Sequence, residues 1–204
     1  MKTTKGRPRQ QDIAAIERKI LEEAMAEFRE HGFGGASLNR VVSAAGISKT
    51  TLYSRYSSKA ELFIAIVQQQ ITDMAPDSVL PKTPDLETGL KAFANHILQK
   101  SLSDEMKDIN RLMLSESVRF PELAAAAADR TARGIKRIAA YIETCADTDG
   151  VACGNATRVA EVFILMIRGW YMNVLLTNQK VSAIARKRWV DDAVQILLNA
   201  RQNW

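Results

Sequence analysis

The sequence predicts an all-α protein of about nine helices, with a small N-terminal head of three helices and a larger helical body. Glycine and proline are scarce, at 10 and 5 of 204 residues, while 47% of the residues are hydrophobic. Apolar residues recur every three or four positions through most of the chain, which is typical of helices that bury one side. The alternating pattern of a strand series is not evident, so both observations favour the helical class.

The first ten residues form a basic arm that contains Lys2, Lys5, Arg7 and Arg9 but has no apolar periodicity. Such an arm could enter a DNA minor groove or be an inert tail, and the sequence leaves both interpretations open. Helix one is predicted over residues 12–31 and ends before a glycine. Its apolar residues recur at helical spacing: Ile13, Ile16, Ile20, Ala24 and Phe28.

A helix-turn-helix is predicted directly after helix one. Ser37 is the expected cap of helix two, and Gly46 ends that helix where a left-handed residue is usual. Ser48 is the expected cap of helix three, over residues 49–56, in which only Leu52 is plainly apolar. A helix this short and polar needs support from the preceding helix. Its exposed polar side is what a reader of the DNA major groove presents.

Charge separates the two parts of the chain. Residues 1–60 hold eleven Lys and Arg against six acids, whereas residues 61–204 hold seventeen of each, so the surplus of +5 lies in the head. No Asp or Glu occurs between His31 and Ala60. Most basic runs are solvated surfaces, but a basic segment that coincides with a helix-turn-helix pattern indicates contact with DNA phosphates.

Helix four is predicted to open with a capping box formed by Ser58 and Glu61, and to reach Met74. The amides at this helix start, together with Lys59 and the Tyr53 hydroxyl, would suit a DNA phosphate. Helix four also connects the head to the rest of the chain, which gives it a possible mechanical role.

The predicted domain boundary lies at the start of helix four. Residues 1–58 form the basic arm and the DNA-binding domain, and residues 59–204 form the connecting helix with an effector-binding and dimerisation domain. Residues 75–84 contain three of the five prolines and are expected to be a loop. Five more helices are predicted over residues 86–101, 104–118, 121–146, 155–178 and 181–202.

The last two predicted helices are apolar over more than one side. A helix that is apolar nearly all round must be covered on most sides. Few helices remain in this chain to cover them, so a partner subunit is the economical cover. Val194 and Leu197 are the positions that we expect at this dimer seam.

The run GFGGASLNRVVSAAGISKTTLYSRYSSKAELF resembles the N-terminal domain of TetR-type (TetR/AcrR) transcriptional regulators. The shared motifs are Gly32-Phe33, the turn at 44–48, Leu52-Tyr53 with an aromatic residue at 56, and Ser58-Lys59 with Leu62. Tyr56 stands where phenylalanine is commoner. The segment LMLSESVRFPELAAAA resembles, less closely, the effector domain of a TetR subgroup with an E-x-x-R-F-P-E-L signature.

This resemblance implies a homodimer that pairs through its last two helices, binds palindromic operator DNA and, in most members, represses transcription. It also implies that Tyr53 and Lys59 contact the DNA backbone. The candidate DNA-binding residues are Ser37, Arg40, Ser48, Lys49, Thr50, Thr51, Tyr53, Ser54, Tyr56 and Lys59. Four of them are expected to face the groove, where base contacts give specificity: Lys49, Thr50, Thr51 and Ser54.

We expect a small, largely apolar effector that binds in the body and releases the protein from DNA, with helix four as the lever. The candidate effector-binding residues are Phe93, His96, Met113, Phe163, Met166 and Trp170. Bulky side chains that face the five alanines at 124–128 would leave a cavity. Each of them singly is more often plain core, and a filled core is the contrary case.

No catalytic, metal or cofactor motif is evident, and the histidines lie far apart without a neighbouring nucleophile. The alternative function is a helical small-molecule carrier or enzyme with no DNA role, which would lack salt-sensitive binding to promoter DNA.

No apolar run approaches the ~20 residues that span a membrane, and no signal peptide is evident. A cytoplasmic protein is therefore expected, with Cys145 and Cys153 as reduced thiols.

Overall fold

The computed structural model describes residues 10–72, 80–81, 85–150 and 153–204. Within those ranges the chain forms nine α-helices and no strand, which confirms the predicted class. The helices are α1 (Gln10–Gly35), α2 (Leu38–Ala45), α3 (Lys49–Tyr53), α4 (Lys59–Thr72), α5 (Leu86–Ser101), α6 (Asp104–Glu116), α7 (Pro121–Asp149), α8 (Ala156–Leu176) and α9 (Ala183–Asn199). The basic arm at 1–9 and most of the proline-containing loop lie outside the described residues.

Most helix ends agree with the sequence pattern to within a few residues. Helix α5 begins and ends where it was predicted, with Asp85 as its cap. Helix α3 is shorter than predicted, because the chain leaves the helix after Tyr53 and returns the Tyr56 amide to the Leu52 carbonyl at 2.9 Å. Helix α7 is longer than predicted and ends where Gly150 adopts a left-handed φ of 70°.

Helix α1 continues past its predicted end through a kink at Gly32. Gly32 has φ 67° and ψ 172°, a conformation that only glycine adopts at little cost. A further turn then forms, since the Ala36 amide donates to the Gly32 carbonyl at 3.1 Å. The kink turns the chain towards α2 and leaves the Phe33 ring fully buried.

The head core is the buried apolar cluster formed by α1 to α4. Its largest side chains are Ile20, Phe28, Phe33, Leu52, Leu62 and Phe63. The same cluster includes Met106, Ile109 and Met113 of α6 and Leu123 of α7. The body is therefore built directly onto the head at α6 and at the start of α7, in addition to the connection through α4.

The body core is the second buried cluster, formed by α5, α7, α8 and α9. Helix α8 runs along α7, and α9 packs on α5. Val194 has 0% exposure and belongs to this core. Its expected place at a dimer seam is therefore wrong, because its side of α9 is already covered within the same subunit.

Helix α8 is long and apolar enough to cross a membrane by length and composition alone, with a mean hydropathy of 1.5 over its best window. The expectation that no apolar stretch has this length is therefore wrong. Eight of its residues are buried against other helices of the chain, which is the pattern of a core helix.

Large apolar residues of the last two helices remain exposed: Val162, Leu165, Leu176, Ile184 and Ile196.

Candidate nucleic-acid interface

The turn between α2 and α3 forms as its sequence predicts. Gly46 adopts a left-handed φ of 66°, and the Ile47 amide donates to the Val42 carbonyl at 3.2 Å. The Ser48 hydroxyl caps α3 by accepting the Thr51 amide at 3.0 Å. These contacts fix the direction in which α3 leaves α2, and a helix of five residues depends on such fixing.

Helix α3 is anchored by one side chain and is otherwise polar. Leu52 is fully buried in the head core, whereas Tyr53 is 50% exposed. We call the remaining outer side chains, with Tyr53, the reading surface: Lys49, Thr50, Thr51, Tyr53 and Ser54. Among the described residues, the side chains of Lys49 and Thr50 make no hydrogen bond or ion pair, so both remain available to DNA.

Tyr56 is not part of that surface, although the sequence placed it among the DNA contacts. Its side chain is only 6% exposed, because the chain turns inward after α3. Its hydroxyl donates to Glu17 of α1 at 3.4 Å. Burial, with the nearby Glu17 carboxylate, raises the pKa of Tyr56 to about 12. We therefore correct its role to packing between α3 and α1.

A buried carboxylate that sequence reasoning missed, Glu27, links α1 to α2. The Ser37 amide donates to Glu27 at 2.8 Å, and Arg40 Nε donates to its two oxygens at 2.9 and 3.0 Å. The hydrogen bond from Arg40, followed by that from Ser37, lowers the pKa of the Glu27 carboxyl. Ser37 occupies the cap position as predicted, but its side chain makes no cap bond, and its own amide is bound by Glu27.

Arg40 and Lys59 have internal partners as well as exposed surface. Arg40 Nη2 also donates to the Gly35 carbonyl at 2.8 Å. Lys59 Nζ donates to the carbonyls of Gly34 and Ala36 at 3.0 and 3.2 Å, and lies 5.1 Å from the Phe33 ring centroid. Both cations therefore stabilise the chain after the α1 kink, and an ammonium with three donors retains one for a phosphate.

The capping box at the start of α4 forms, with one change of partner. The Glu61 amide donates to the Ser58 hydroxyl at 3.1 Å, as the motif predicts. The Glu61 carboxylate accepts the amide and hydroxyl of Ser57 at 2.7 and 2.6 Å, instead of the Ser58 amide. These bonds lower the pKa of Glu61.

Of the six candidate effector-binding residues, one lines a cleft formed by described residues, and the other five lie elsewhere in the body. Phe93 and Phe163 are packed in the body core with their ring centroids 6.2 Å apart, and Trp170 stacks on Trp189 at 4.7 Å. Met166 and His96 are half-buried. Met113 alone among the six lines a cleft between α6, α7 and α8.

That cleft has a volume of about 230 Å³. Its α7 side is made by Ala124, Ala127 and Ala128, as the alanine run led us to expect. Sequence reasoning missed the other residues of its lining, including two arginines, Arg130 and Arg168. Arg130 lies on the same helix as the alanines, whereas Arg168 lies on α8. The sequence alone does not show that these two helices pack side by side.

The chain combines a helix-turn-helix that has an exposed reading surface with a basic segment that contains no acidic residue, and both are joined to a helical body. This combination defines a DNA-binding transcriptional regulator. Comparison with known proteins agrees. Residues 20–66 match the family described as bacterial regulatory proteins, tetR family. Residues 88–202, more than half of the chain, match the AefR-like transcriptional repressor, C-terminal domain. The chain belongs to the TetR family of bacterial regulatory proteins, and it is not an enzyme.

Individual relatives are distant. The HTH-type transcriptional repressor SCO4008 of Streptomyces coelicolor is 35% identical over 74 residues, 36% of this chain and 38% of that protein. A TetR-family regulator structure from Mesorhizobium loti has a TM-score of 0.74 at 22% identity, and covers 92% of this chain and 96% of its own. The flavonoid-responsive regulator FrrA has a TM-score of 0.72 at 25% identity, and covers 92% of this chain and 97% of its own.

Proposed function

We propose that the protein is a cytoplasmic repressor that binds palindromic operators as a homodimer and leaves DNA when a small, largely apolar ligand binds its body. The observation that carries the DNA-binding part is the reading surface, which α3 presents while Leu52 alone is buried. Dimers with this motif place two such helices about 34–36 Å apart, one turn of DNA. The resemblance to a curated repressor supports repression of transcription, as opposed to activation.

The test is selection of bound fragments from genomic DNA, followed by titration of one bound site over a series of salt concentrations. We expect affinity to fall steeply with salt, because phosphate contacts release counterions. Thr50→Ala should change the preferred base at one or two positions, and Lys59→Ala should weaken binding to all sequences and flatten the salt slope by about one unit. A Lys59→Ala protein with altered sequence preference and an unchanged slope would contradict these assignments.

The dimer is supported by the exposed apolar residues of the last two helices. Val162 and Leu165 of α8 are 49% and 48% exposed, and Ile184 of α9 is 82% exposed. Apolar patches of this kind mark interfaces between proteins. Leu165→Asp should give a monomer with little operator affinity, since a buried unpaired charge is expensive. Val118→Asp is the control, because Val118 is 90% exposed in the turn before α7.

The cleft supports release by a ligand, because its lining is shared with the head core. Met113 is 6% exposed, packs in the head core and also lines the cleft. Ala127 packs against the same core and lines the cleft as well. A ligand that displaces α6 would therefore act on the head directly, together with α4, provided that it prefers the arrangement that does not bind DNA.

A coupling of ~1–3 kcal/mol would change operator affinity by about 5–150-fold. The test is a ligand screen by thermal shift, followed by operator titration with each hit. A hit that stabilises the protein but leaves operator affinity unchanged would exclude coupling for that ligand.

A further inference from the structure

We infer that the cleft between α6, α7 and α8 takes a small amphipathic anion, with an apolar body against the alanines and one carboxylate between Arg130 and Arg168. This inference rests on the proposed release by a ligand and adds the chemical class of that ligand. Three observations support it: the charge of the cleft lining, the hydrogen bond that holds Arg168 in position, and the volume of the cleft.

The charge of the lining is one-sided. Two arginines, Arg130 and Arg168, line the cleft, and its lining contains no Asp or Glu. Within the described part of the chain, neither Arg130 nor Arg168 belongs to an ion pair. Two other arginines of α7 and α8 do: Arg133 pairs with Asp129, and Arg158 pairs with Glu161. Guanidinium groups bind carboxylates through two parallel hydrogen bonds, so this cleft favours an anion over a cation or a neutral molecule.

Arg168 is held in position by a neighbouring side chain. One of its Nη1 hydrogens is donated to the Thr131 hydroxyl of α7. Thr131 in turn donates its own hydrogen to the Ala127 carbonyl at 2.9 Å. A guanidinium has five donors, so this single bond fixes its direction and leaves donors for a carboxylate. Such fixing lowers the entropic cost of binding.

Apart from the polar residues Asn110 and Ser117, the rest of the lining consists of apolar residues and Tyr171, and it limits the size of the ligand. The alanine side chains of α7 face Met113 of α6 and Tyr171 of α8, which are 6% and 5% exposed. The volume of about 230 Å³ lies below the range of roughly 300–1,000 Å³ that is usual for drug-sized ligands. The apolar body is therefore no larger than one or two rings or a short alkyl chain.

The experiment compares carboxylates with their uncharged carboxamides on the full-length protein. The probes are benzoate, 2-naphthoate and 4-phenylbutyrate, each paired with its amide, and affinity is measured by calorimetry. We expect at least one carboxylate to bind ten times more tightly than its amide. Arg168→Met should weaken that binding by about tenfold to a hundredfold, as for a lost charge-assisted hydrogen bond.

Arg168→Lys and Arg133→Met separate the possible causes of a loss. Arg168→Lys should retain part of the affinity, because the charge remains while the second hydrogen bond is lost. Arg133→Met should bind as wild type, because Arg133 is an exposed residue of α7 that lies outside the cleft. Circular dichroism at each step shows that the variants are folded.

Three results would overturn the inference: no carboxylate binds, the amides bind equally well, or Arg168→Met leaves carboxylate affinity unchanged. Operator binding by the protein without ligand is measured separately. Its absence would refute the proposed function without changing the calorimetric result, so the two failures are distinguishable.

Discussion

The head core and the α7 side of the body are packed in opposite ways. In the head, Phe28, Phe33 and Phe63 meet with ring centroids 5.1 to 5.7 Å apart, and Phe120 closes on Phe33 at 4.5 Å. In the body, α7 presents alanines to the facing helices and leaves a cleft of about 230 Å³. The centre of the head is filled by large rings, and two clefts of the head, of about 430 and 410 Å³, border α1 and α4 away from those rings. The body keeps space beside the small side chains of α7.

This difference shows which part of the protein must keep a fixed conformation. The orientation of α3 depends on Leu52 and on the core that receives it, so a filled head core keeps the reading surface in one place. An open cleft costs dispersion contacts, and a ligand can restore them. Met113 and Ala127 border both regions, so a change in one region can reach the other through them.

The largest expected effect comes from opening the filled region. Phe63→Ala removes a ring with 0% exposure and should lower the free energy of unfolding by about 3–5 kcal/mol. Leu114→Ala, at the cleft and already 36% exposed, should lower it by less than about 1 kcal/mol. Urea unfolding of both variants measures the difference. Equal losses would show that the two regions are packed alike.

Adding volume to the two regions should show the same contrast, with the head variant again the more destabilised one. Ala24→Met adds volume at a fully buried position of the head core and should destabilise the protein by about 1–3 kcal/mol. Ala128→Met adds the same volume at an exposed position in the cleft and should change stability by less than about 0.5 kcal/mol. Thermal and urea unfolding measure both, and a destabilised Ala128→Met protein would mean that the cleft is effectively closed.

The sequence predicted more structural detail correctly in the head than in the body. Helix periodicity, Gly46 and Ser48 carry local information, so the fold class, the turn and the α3 cap follow from neighbouring residues. Tyr56 was misplaced because a periodic pattern does not reveal that the chain leaves the helix after Tyr53. Glu27 was missed because its partners lie 10 and 13 residues further along the chain.

The cleft depends on contacts that local patterns do not contain. The alanine run correctly indicated space on one side of α7, but not which side chains would face it. Phe93 and Phe163 were grouped with Met113 by their size, although they pack with each other in the body core. Which bulky residue faces which alanine is decided by how α6, α7 and α8 are arranged, and the sequence gives their periodicity only.

A smaller effect separates two matched helix caps. Ser48 caps α3 and Ser182 caps α9 through the same bond, at 3.0 and 3.1 Å. Changing either to alanine should cost about 1 kcal/mol of stability. Only Ser48→Ala should also speed hydrogen exchange throughout α3 and weaken operator binding, because α3 buries Leu52 alone, whereas α9 buries three residues. Equal loss of operator binding in both variants would contradict this local role.

The smallest effect concerns the polar link within the head and depends on pH. Hydrogen bonds from Arg40 and Ser37 hold the pKa of Glu27 below its ordinary value near 4.5. A carboxyl whose pKa is lowered on folding stabilises the protein above the unfolded pKa, and this contribution is lost as pH falls through the folded pKa. Glu27→Gln keeps an acceptor but lacks the charge, so it should be less stable at pH 7 by about 0.5–1 kcal/mol.

The difference between Glu27→Gln and wild type should shrink as the pH falls through the lowered pKa of the folded Glu27 carboxyl, where the wild-type carboxyl takes up its proton. Urea unfolding at pH 7 and at several acidic values measures it. Glu30→Gln is the control, because its side chain is 77% exposed and should give the same small effect at every pH. A Glu27→Gln difference that stays constant into acid would mean that shape alone, and not the charge of Glu27, joins α1 to α2. The head would then be fixed entirely by its apolar core, and its contrast with the body would rest on packing alone.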